Sequence, residues 1–258
     1  MSATLLEVTG LTCRFAGVTA VADLSFQVKA GEIKAVIGPN GAGKSTLFNM
    51  IAGVTRPSEG AIFLDGARID PLPTFERARR GIARTFQNLQ IFREMTVLEN
   101  VMVGRHLVGR ATTLTAMLRT PAVRAEERTM AEAGMALLER FGLAGRAHQP
   151  AGALSFGQMK VLELARALAG APRLLLLDEP AAGLPHAEAD RMAQTIRGLN
   201  RDGMSVLLVE HNMRMVMSLS HDILVLNNGR RIAEGSADEV RSHPEVLSAY
   251  LGEEVEDA

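Results

Sequence analysis

Gly38-Pro39-Asn40-Gly41-Ala42-Gly43-Lys44-Ser45-Thr46 is the stretch on which the reading of this chain turns. It fits the pattern G-x-x-x-x-G-K-[ST], a glycine-rich turn that wraps phosphates. Just before it, Glu32-Ile33-Lys34-Ala35-Val36-Ile37 alternates and then runs apolar, as a strand does. Just after it, Ser45 to Met50 opens a helix that ends near Gly53. Strand, glycine turn, helix is the context the pattern requires. The four constrained positions alone arise by chance in roughly one chain in a hundred of this length.

The residue types supply the chemistry. Gly38, Gly41 and Gly43 let the backbone turn tightly and aim its N–H groups inward, with no Cβ in the way. A helix starting after Gly43 adds the positive end of its dipole at the same spot. Lys44 reaches the β and γ phosphates as a compact charge, and the Ser45 hydroxyl suits Mg²⁺. The stretch reads as a site for a nucleoside triphosphate.

Bulk properties narrow the rest. The 258 residues suffice for one large α/β domain or two smaller units, and 47% apolar with 22% charged residues is a globular mixture. A formal net charge of −1 gives no reason to expect nucleic acid as a partner. Cys13 is the only cysteine, which excludes an internal disulfide and a cysteine metal site and suits a reducing cytosol. The N-terminus lacks a basic-then-apolar leader pattern, and apolar runs such as Leu174–Leu177 and Val206–Val209 are too short to cross a bilayer. If a membrane matters, another chain spans it.

In chain order, Leu5–Val8, Thr12–Phe15 and Leu24–Val28 read as short strands punctuated by Gly17 and Gly31. Phe15 is either a strand aromatic or a stacking surface for a purine, and spacing alone favours the former. Gly60–Asp65 and Gly81–Phe86 are further strand candidates, the second leading to Gln87. Thr96-Val97-Leu98-Glu99 is a capping-box signature opening a helix with Val97, Leu98, Val101 and Met102 on one face. A second helix from Ala125 to Phe141 carries Met130, Leu137, Leu138 and Phe141 at helical spacing. Between the two, Val108–Val123 is rich in Arg, Thr and Ala, with Pro121 as a breaker. The region reads as a helical insertion into an α/β core.

Leu154-Ser155-Phe156-Gly157-Gln158-Met159-Lys160 leads into another apolar helix, with Ser155 where an N-cap belongs. After Arg173, Leu174 to Leu177 runs apolar into Asp178-Glu179-Pro180, as a buried parallel strand does. The two carboxylates at its carboxyl end would face the crevice where open α/β sheets bind ligands. A surface turn with two acids is the plainer alternative, but the phosphate loop needs a Mg²⁺ carboxylate from a neighbouring strand. Ser205–Val209 is a second such strand, ending in Glu210-His211; a lone histidine there is more often structural than catalytic. A hairpin (Ile223–Asn227, Arg231–Ala233) and a C-terminal helical region close the chain.

Taken together, the phosphate loop, Gln87, Leu154–Gln158, Leu174–Pro180 and His211 stand in the order seen in ATP-binding subunits of ABC transporters, and the chain resembles that family over roughly residues 4 to 253. It is most similar to the branched-chain amino acid uptake ATPases, through Gly81–Asn88, Leu98–His106, the helical insertion and the tail Glu234–Glu253. ATPases for lipopolysaccharide and other substrates share the architecture.

The resemblance implies a P-loop NTPase core with a mainly parallel sheet, an N-terminal antiparallel β subdomain and a helical insertion. It implies one domain: core at 4–95 and 165–235, helical subdomain at about 96–164, helical tail at 236–258. ATP and Mg²⁺ are the implied cofactors. Phe15 stacks on adenine, Gly38 to Thr46 cradle phosphate, and Ser45, Asp178 and Gln87 attend the metal. Glu179 activates water as general base, and His211 meets the γ-phosphate. Ser155, Gly157 and Gln158 act on ATP held by a second, identical or related, ATP-binding subunit. Permease subunits and, through them, a solute-binding protein are the remaining partners, which places the chain on the cytoplasmic face of the inner membrane.

Two residues depart from the family pattern. Phe156 stands where the signature usually has glycine, as in branched-chain members, and Pro185 replaces a usual loop Asp that touches the partner subunit. The second points to a related, non-identical partner. Other function classes fit less well. A soluble repair or translation ATPase would show tandem cassettes or a long coiled coil, and a guanine-nucleotide switch would need Asn-Lys-x-Asp. A nucleotide-binding regulator that never turns over is separated by assaying hydrolysis.

Overall fold

A computed structural model describes residues 3–86, 89–105 and 121–251, side chains excepted at 121–124 and 250–251. The apolar runs on either side of the phosphate loop set the architecture. β3 (Ile33–Ile37), β7 (Leu174–Asp178) and β8 (Ser205–Val209) are buried at every position, because helices cover both faces of the sheet they form. With β6 (Ile82–Arg84), β9 (Asp222–Asn227) and β10 (Arg230–Gly235) they make a sheet of order β10-β9-β3-β8-β7-β6. Its neighbours are parallel except for β10, which returns antiparallel beside β9.

The register places the site. Asp178 pairs with Val209, and Val209 pairs with Val36, two residues before Gly38. The carboxyl end of β7 is thus level with the start of the phosphate loop, two strands and roughly 10 Å away at ordinary strand spacing.

A second, antiparallel sheet of order β2-β1-β4-β5 joins β1 (Thr4–Phe15), β2 (Val18–Lys29), β4 (Glu59–Leu64) and β5 (Ala67–Arg68). The segments Leu5–Val8 and Thr12–Phe15, expected as two strands, are one strand that shifts register near Gly10. Gly10 adopts φ 58°, and its N–H donates to the Ser25 hydroxyl at 2.8 Å. Between the sheets lies α1 (Lys44–Ala52), whose Leu47, Phe48 and Ile51 pack with Leu6, Val8 and Ile62 in one buried cluster.

α1 is closed at its far end by a residue from elsewhere. Arg77, on α2 (Thr74–Arg79), is buried and donates to the carbonyls of Ile51 at 2.9 Å, Asp70 at 2.8 Å and Leu72 at 2.9 Å. It thereby satisfies a helix-end acceptor that water cannot reach.

The helical region begins with α3 (Val97–Arg105), capped as expected: Thr96 N–H donates to Glu99 at 2.7 Å and Glu99 N–H to Thr96 Oγ1 at 3.2 Å. α4 is described over Pro121–Arg140, so Pro121, expected as a breaker, stands at the start of the described helix. The rest of the stretch expected at Val108–Val123, up to residue 120, lies outside the described residues. α5 (Phe156–Leu168) serves two clusters. Leu162 and Ala165 pack with Val97, Val101 and Leu138, while Leu164 and Leu168 pack against β7 and β8. The expected boundary near residue 164 therefore lies within one continuous helix.

α6 (His186–Arg201) covers β7 and β8 with Ala189, Met192, Ala193, Ile196 and Leu199. α7 (Met213–Leu219) follows β8, and α8 (Ala237–Ser242) and α9 (Pro244–Leu251) form the tail. Among the described residues no helix is long and apolar enough to cross a membrane.

Candidate nucleotide site

Glycine geometry builds the phosphate loop. Gly38, Gly41 and Gly43 have φ 149°, 79° and 98°, values that L side chains resist. A Cβ on Gly38 would lie 2.1 Å from the Leu226 carbonyl oxygen, and one on Gly43 would lie 2.5 Å from that of Ala20. Only glycine fits those two positions. Gly43 gives α1 no side-chain cap, and the first turn holds no acid, so the helix keeps its positive end for an anion. Lys44 is buried, its Nζ donating to the Gly38 carbonyl at 2.6 Å and the Pro39 carbonyl at 2.9 Å. The ammonium is already held over the turn it would share with phosphate.

Asp178 is buried and reaches α1 through Arg84. The guanidinium donates to Asp178 Oδ2 at 2.9 Å and to Asn49 Oδ1 at 2.7 Å. Asn49 lies four residues beyond Ser45, on the same face of α1. The carboxylate and the Ser45 face are thus joined by one guanidinium.

Glu179 follows with φ 50°, a left-handed backbone costing a non-glycine residue about 1–2 kcal/mol. Its N–H donates to the Val209 carbonyl at 2.9 Å, and its own carbonyl accepts from Ala182 N–H at 3.1 Å and Lys160 Nζ at 3.2 Å. Those three bonds hold the strained turn and turn the side chain out of the sheet. Its Oε1 lies 3.2 Å from His211 Nε2, so the ends of adjacent strands bring the two residues together.

Ser155 caps α5 reciprocally: Gln158 N–H donates to Ser155 Oγ at 3.3 Å, and Ser155 N–H donates to Gln158 Oε1 at 3.1 Å. The exposed Phe156 ring packs near Gly183, where an added Cβ would stand 3.2 Å from it, and Lys160 Nζ lies 5.9 Å from its centroid. Phe156 therefore ties the start of α5 to the loop after Glu179. Pro185 is the N-cap of α6 and offers no side-chain acceptor. Phe15 is 48% exposed at the end of β1, open to a stacking partner. Gln87 lies outside the described residues.

Comparison with known proteins now decides the family. Residues 21–182 match the ABC transporter family model, and residues 230–256 match that of the branched-chain amino acid ATP-binding cassette transporter. The chain belongs to the ABC transporter family. It is 44% identical to the high-affinity branched-chain amino acid transport ATP-binding protein BraF of Pseudomonas aeruginosa, across 98% of this chain and 100% of that one. The LivG protein of the same description from Escherichia coli is 40% identical with the same coverage. Among solved structures, the ADP conformation of an ABC transporter cassette superposes with TM-score 0.85 at 33% identity, covering 96% of this chain and 99% of that one. A nucleotide-free cassette gives 0.84 at 32% identity, over 96% and 98%.

This ABC chain is thus a nucleotide-binding ATPase subunit whose hydrolysis is coupled to transmembrane transport. Several residues around its site carry no clear signal in the sequence. Glu210 is buried and accepts from Ala181 N–H at 2.8 Å, His211 N–H at 2.9 Å and Asn212 N–H at 3.0 Å. One carboxylate thus ties the loop after Glu179 to the segment carrying His211. Glu163, on α5, has Oε1 3.5 Å from Phe86 N and 3.4 Å from Gln90 N, on either side of Gln87-Asn88. Burial pushes that carboxyl above the ordinary range. An acid mid-helix was the only sequence signal.

Proposed function

We propose that this subunit drives uptake of branched-chain amino acids by an ABC importer, closing on ATP together with a second ATP-binding subunit. The relatives named for that transport, alignable end to end, support the solute class. The observation that carries the site reading is the 3.2 Å pairing of Glu179 with His211 on a strained, thrice-anchored turn at the sheet edge that holds the phosphate loop.

Mg²⁺ fits the donors present. Among the described residues no group of three His, Cys, Asp or Glu could hold a metal. The Ser45 hydroxyl and the Asp178 carboxylate are hard oxygens that would hold the ion, with further positions left to phosphate and water, as Mg²⁺ prefers. When bound, the ion neutralises charge on the β and γ phosphates. Gln87 is assigned to the same metal on sequence alone.

The residue roles follow. Gly38 to Thr46 cradle the phosphates, every residue but Pro39 offering an N–H, Lys44 exchanges loop carbonyls for phosphate oxygen, and Phe15 stacks on adenine. Glu179 accepts a proton from the attacking water, oriented by His211, which donates toward the γ-phosphate. Ser155, Gly157 and Gln158 have contacts with each other and with Glu188 rather than with this chain's phosphate loop, so they are free to meet ATP held opposite. A groove of about 840 Å³ between core and helical region, with exposed Phe86, Phe92 and Val54, suits an apolar segment of a permease. Those contacts would keep the subunit at the cytoplasmic membrane face, with a solute-binding protein acting through the permease.

Co-expression with candidate permease subunits, purification of the complex and transport into vesicles test the reading. ATP-dependent accumulation of leucine, isoleucine or valine is expected. A complex that hydrolyses ATP and accumulates a different solute class would overturn the substrate assignment while leaving the ATPase.

A further inference from the structure

We propose that Arg84 is a positioning residue that holds Asp178 until Mg²⁺ binds, then shifts toward Phe86 and carries metal occupancy to the groove. The proposal rests on the reading of Asp178 as a metal carboxylate.

Arg84 ends β6 with its side chain 10% exposed, and Asp178 ends β7 at 4%. A buried carboxylate left without a counter-charge is strongly unfavourable, so some cation must occupy Asp178 when the metal is away. The guanidinium does so at 2.9 Å and steadies itself on Asn49 at 2.7 Å. Mg²⁺ at the same carboxylate brings a second, divalent cation into a poorly screened space. The two repel over a few ångströms, and the smaller, doubly charged ion takes the oxygen.

While paired with Asp178, the guanidinium also lies against two rings. Its Cζ lies 5.8 Å from the Phe48 ring centroid and 5.4 Å from that of Phe86, within cation–π range of both. Phe48 is buried in the core, whereas Phe86 is 44% exposed and lines the groove. Released from Asp178, Arg84 settles more closely on Phe86, a ring it already touches and a groove residue as Arg84 itself is. A static ion pair that merely joins β6 to β7 would be indifferent to Mg²⁺, which separates the two roles.

The test uses the full chain in a Glu179→Gln background, so that ATP stays bound. Without metal, Arg84→Met should melt roughly 5 °C or more below its parent, because Asp178 loses its only cation among the described residues. ATP with Mg²⁺ should close most of that gap, and Mg²⁺ titrated onto the ATP-loaded variant should bind at least about threefold tighter, the competitor being gone. If Arg84→Met does not fold, Arg84→Lys serves, since one ammonium cannot serve Asn49 and Asp178 as a fork does. The chain has no tryptophan, so Phe86→Trp makes a reporter whose emission should respond to Mg²⁺ with Arg84 present and not in Arg84→Met. A melting gap of equal size with and without Mg²⁺, or a Phe86→Trp signal blind to the metal, overturns the proposal. A parent that binds ATP with no Mg²⁺ response at all overturns the metal reading instead.

Discussion

His211 Nε2 lies 3.2 Å from Glu179 Oε1, and the two backbones are bound together by the Glu179 N–H on the Val209 carbonyl at 2.9 Å. On the proposed roles, the general base and its orienting group are thereby held together, and their substitutions are expected to couple. Glu179→Gln should lower turnover by about 10² or more, the range for losing a general base, while ATP binding persists. His211→Ala should also slow turnover, and the double variant should be little worse than the poorer single one, since residues acting as a unit are not additive. Rate losses that multiply in the double variant would show that the two act independently.

Lys44 sits over Gly38 and Pro39 carbonyls and supplies the one side-chain cation of the phosphate loop. A charge-assisted bond contributes about 1.5–3 kcal/mol, so Lys44→Ala should weaken ATP binding by roughly 10-fold or more. Titration with a fluorescent ATP analogue reads this directly, and an unchanged Kd would contradict the assignment.

The three loop glycines are not equivalent. A Cβ on Gly38 meets the Leu226 carbonyl oxygen at 2.1 Å, whereas one on Gly41 meets nothing within 4 Å. Gly38→Ala must push β9 away and should cost about 3 kcal/mol or more in urea unfolding. Gly41→Ala pays only for its positive φ, about 1–2 kcal/mol. Equal losses would mean that the loop and β9 yield freely to each other.

The contrast between these residues shows what sequence order reveals. The phosphate loop, the capping box at Thr96–Glu99, the Ser155 cap and the apolar strands before Asp178 and Glu210 are local patterns, and the structure carries each where its pattern lies. α6 is faint in the sequence although Ala189, Met192, Ala193, Ile196 and Leu199 have helical spacing, because Pro185 supplies no cap side chain to announce it. α2 and α7 are too short for a periodic signal to accumulate. Arg84, Arg77 and Glu210 were illegible for a different reason. Asp178 stands 94 residues from Arg84, Ile51 26 from Arg77 and Ala181 29 from Glu210, and only the folded chain brings these pairs together.

Lys34 provides a pH-dependent test of the scaffold. Burial alone would lower its pKa, but hydrogen bonds and charge from Asp222 and from Glu234 at 2.6 Å outweigh burial and hold it above the ordinary lysine value. A raised lysine pKa means the folded state keeps a proton that the unfolded state releases first. The stabilisation is therefore complete below the unfolded pKa of about 10.4 and is lost as the pH climbs through the higher folded one. Lys34→Met removes the cation from Asp222 and one of two from Glu234, which keeps Arg231 at 2.6 Å, at the junction of β3, β9 and β10. It should cost about 3 kcal/mol, toward the lower end for a broken buried pair because both carboxylates keep some solvent contact. Chemical unfolding should show that deficit constant from pH 6 to 9, with the gap to wild type narrowing only above about pH 10. A gap that changes across neutral pH would mean another group, not Lys34, sets the stability of this junction.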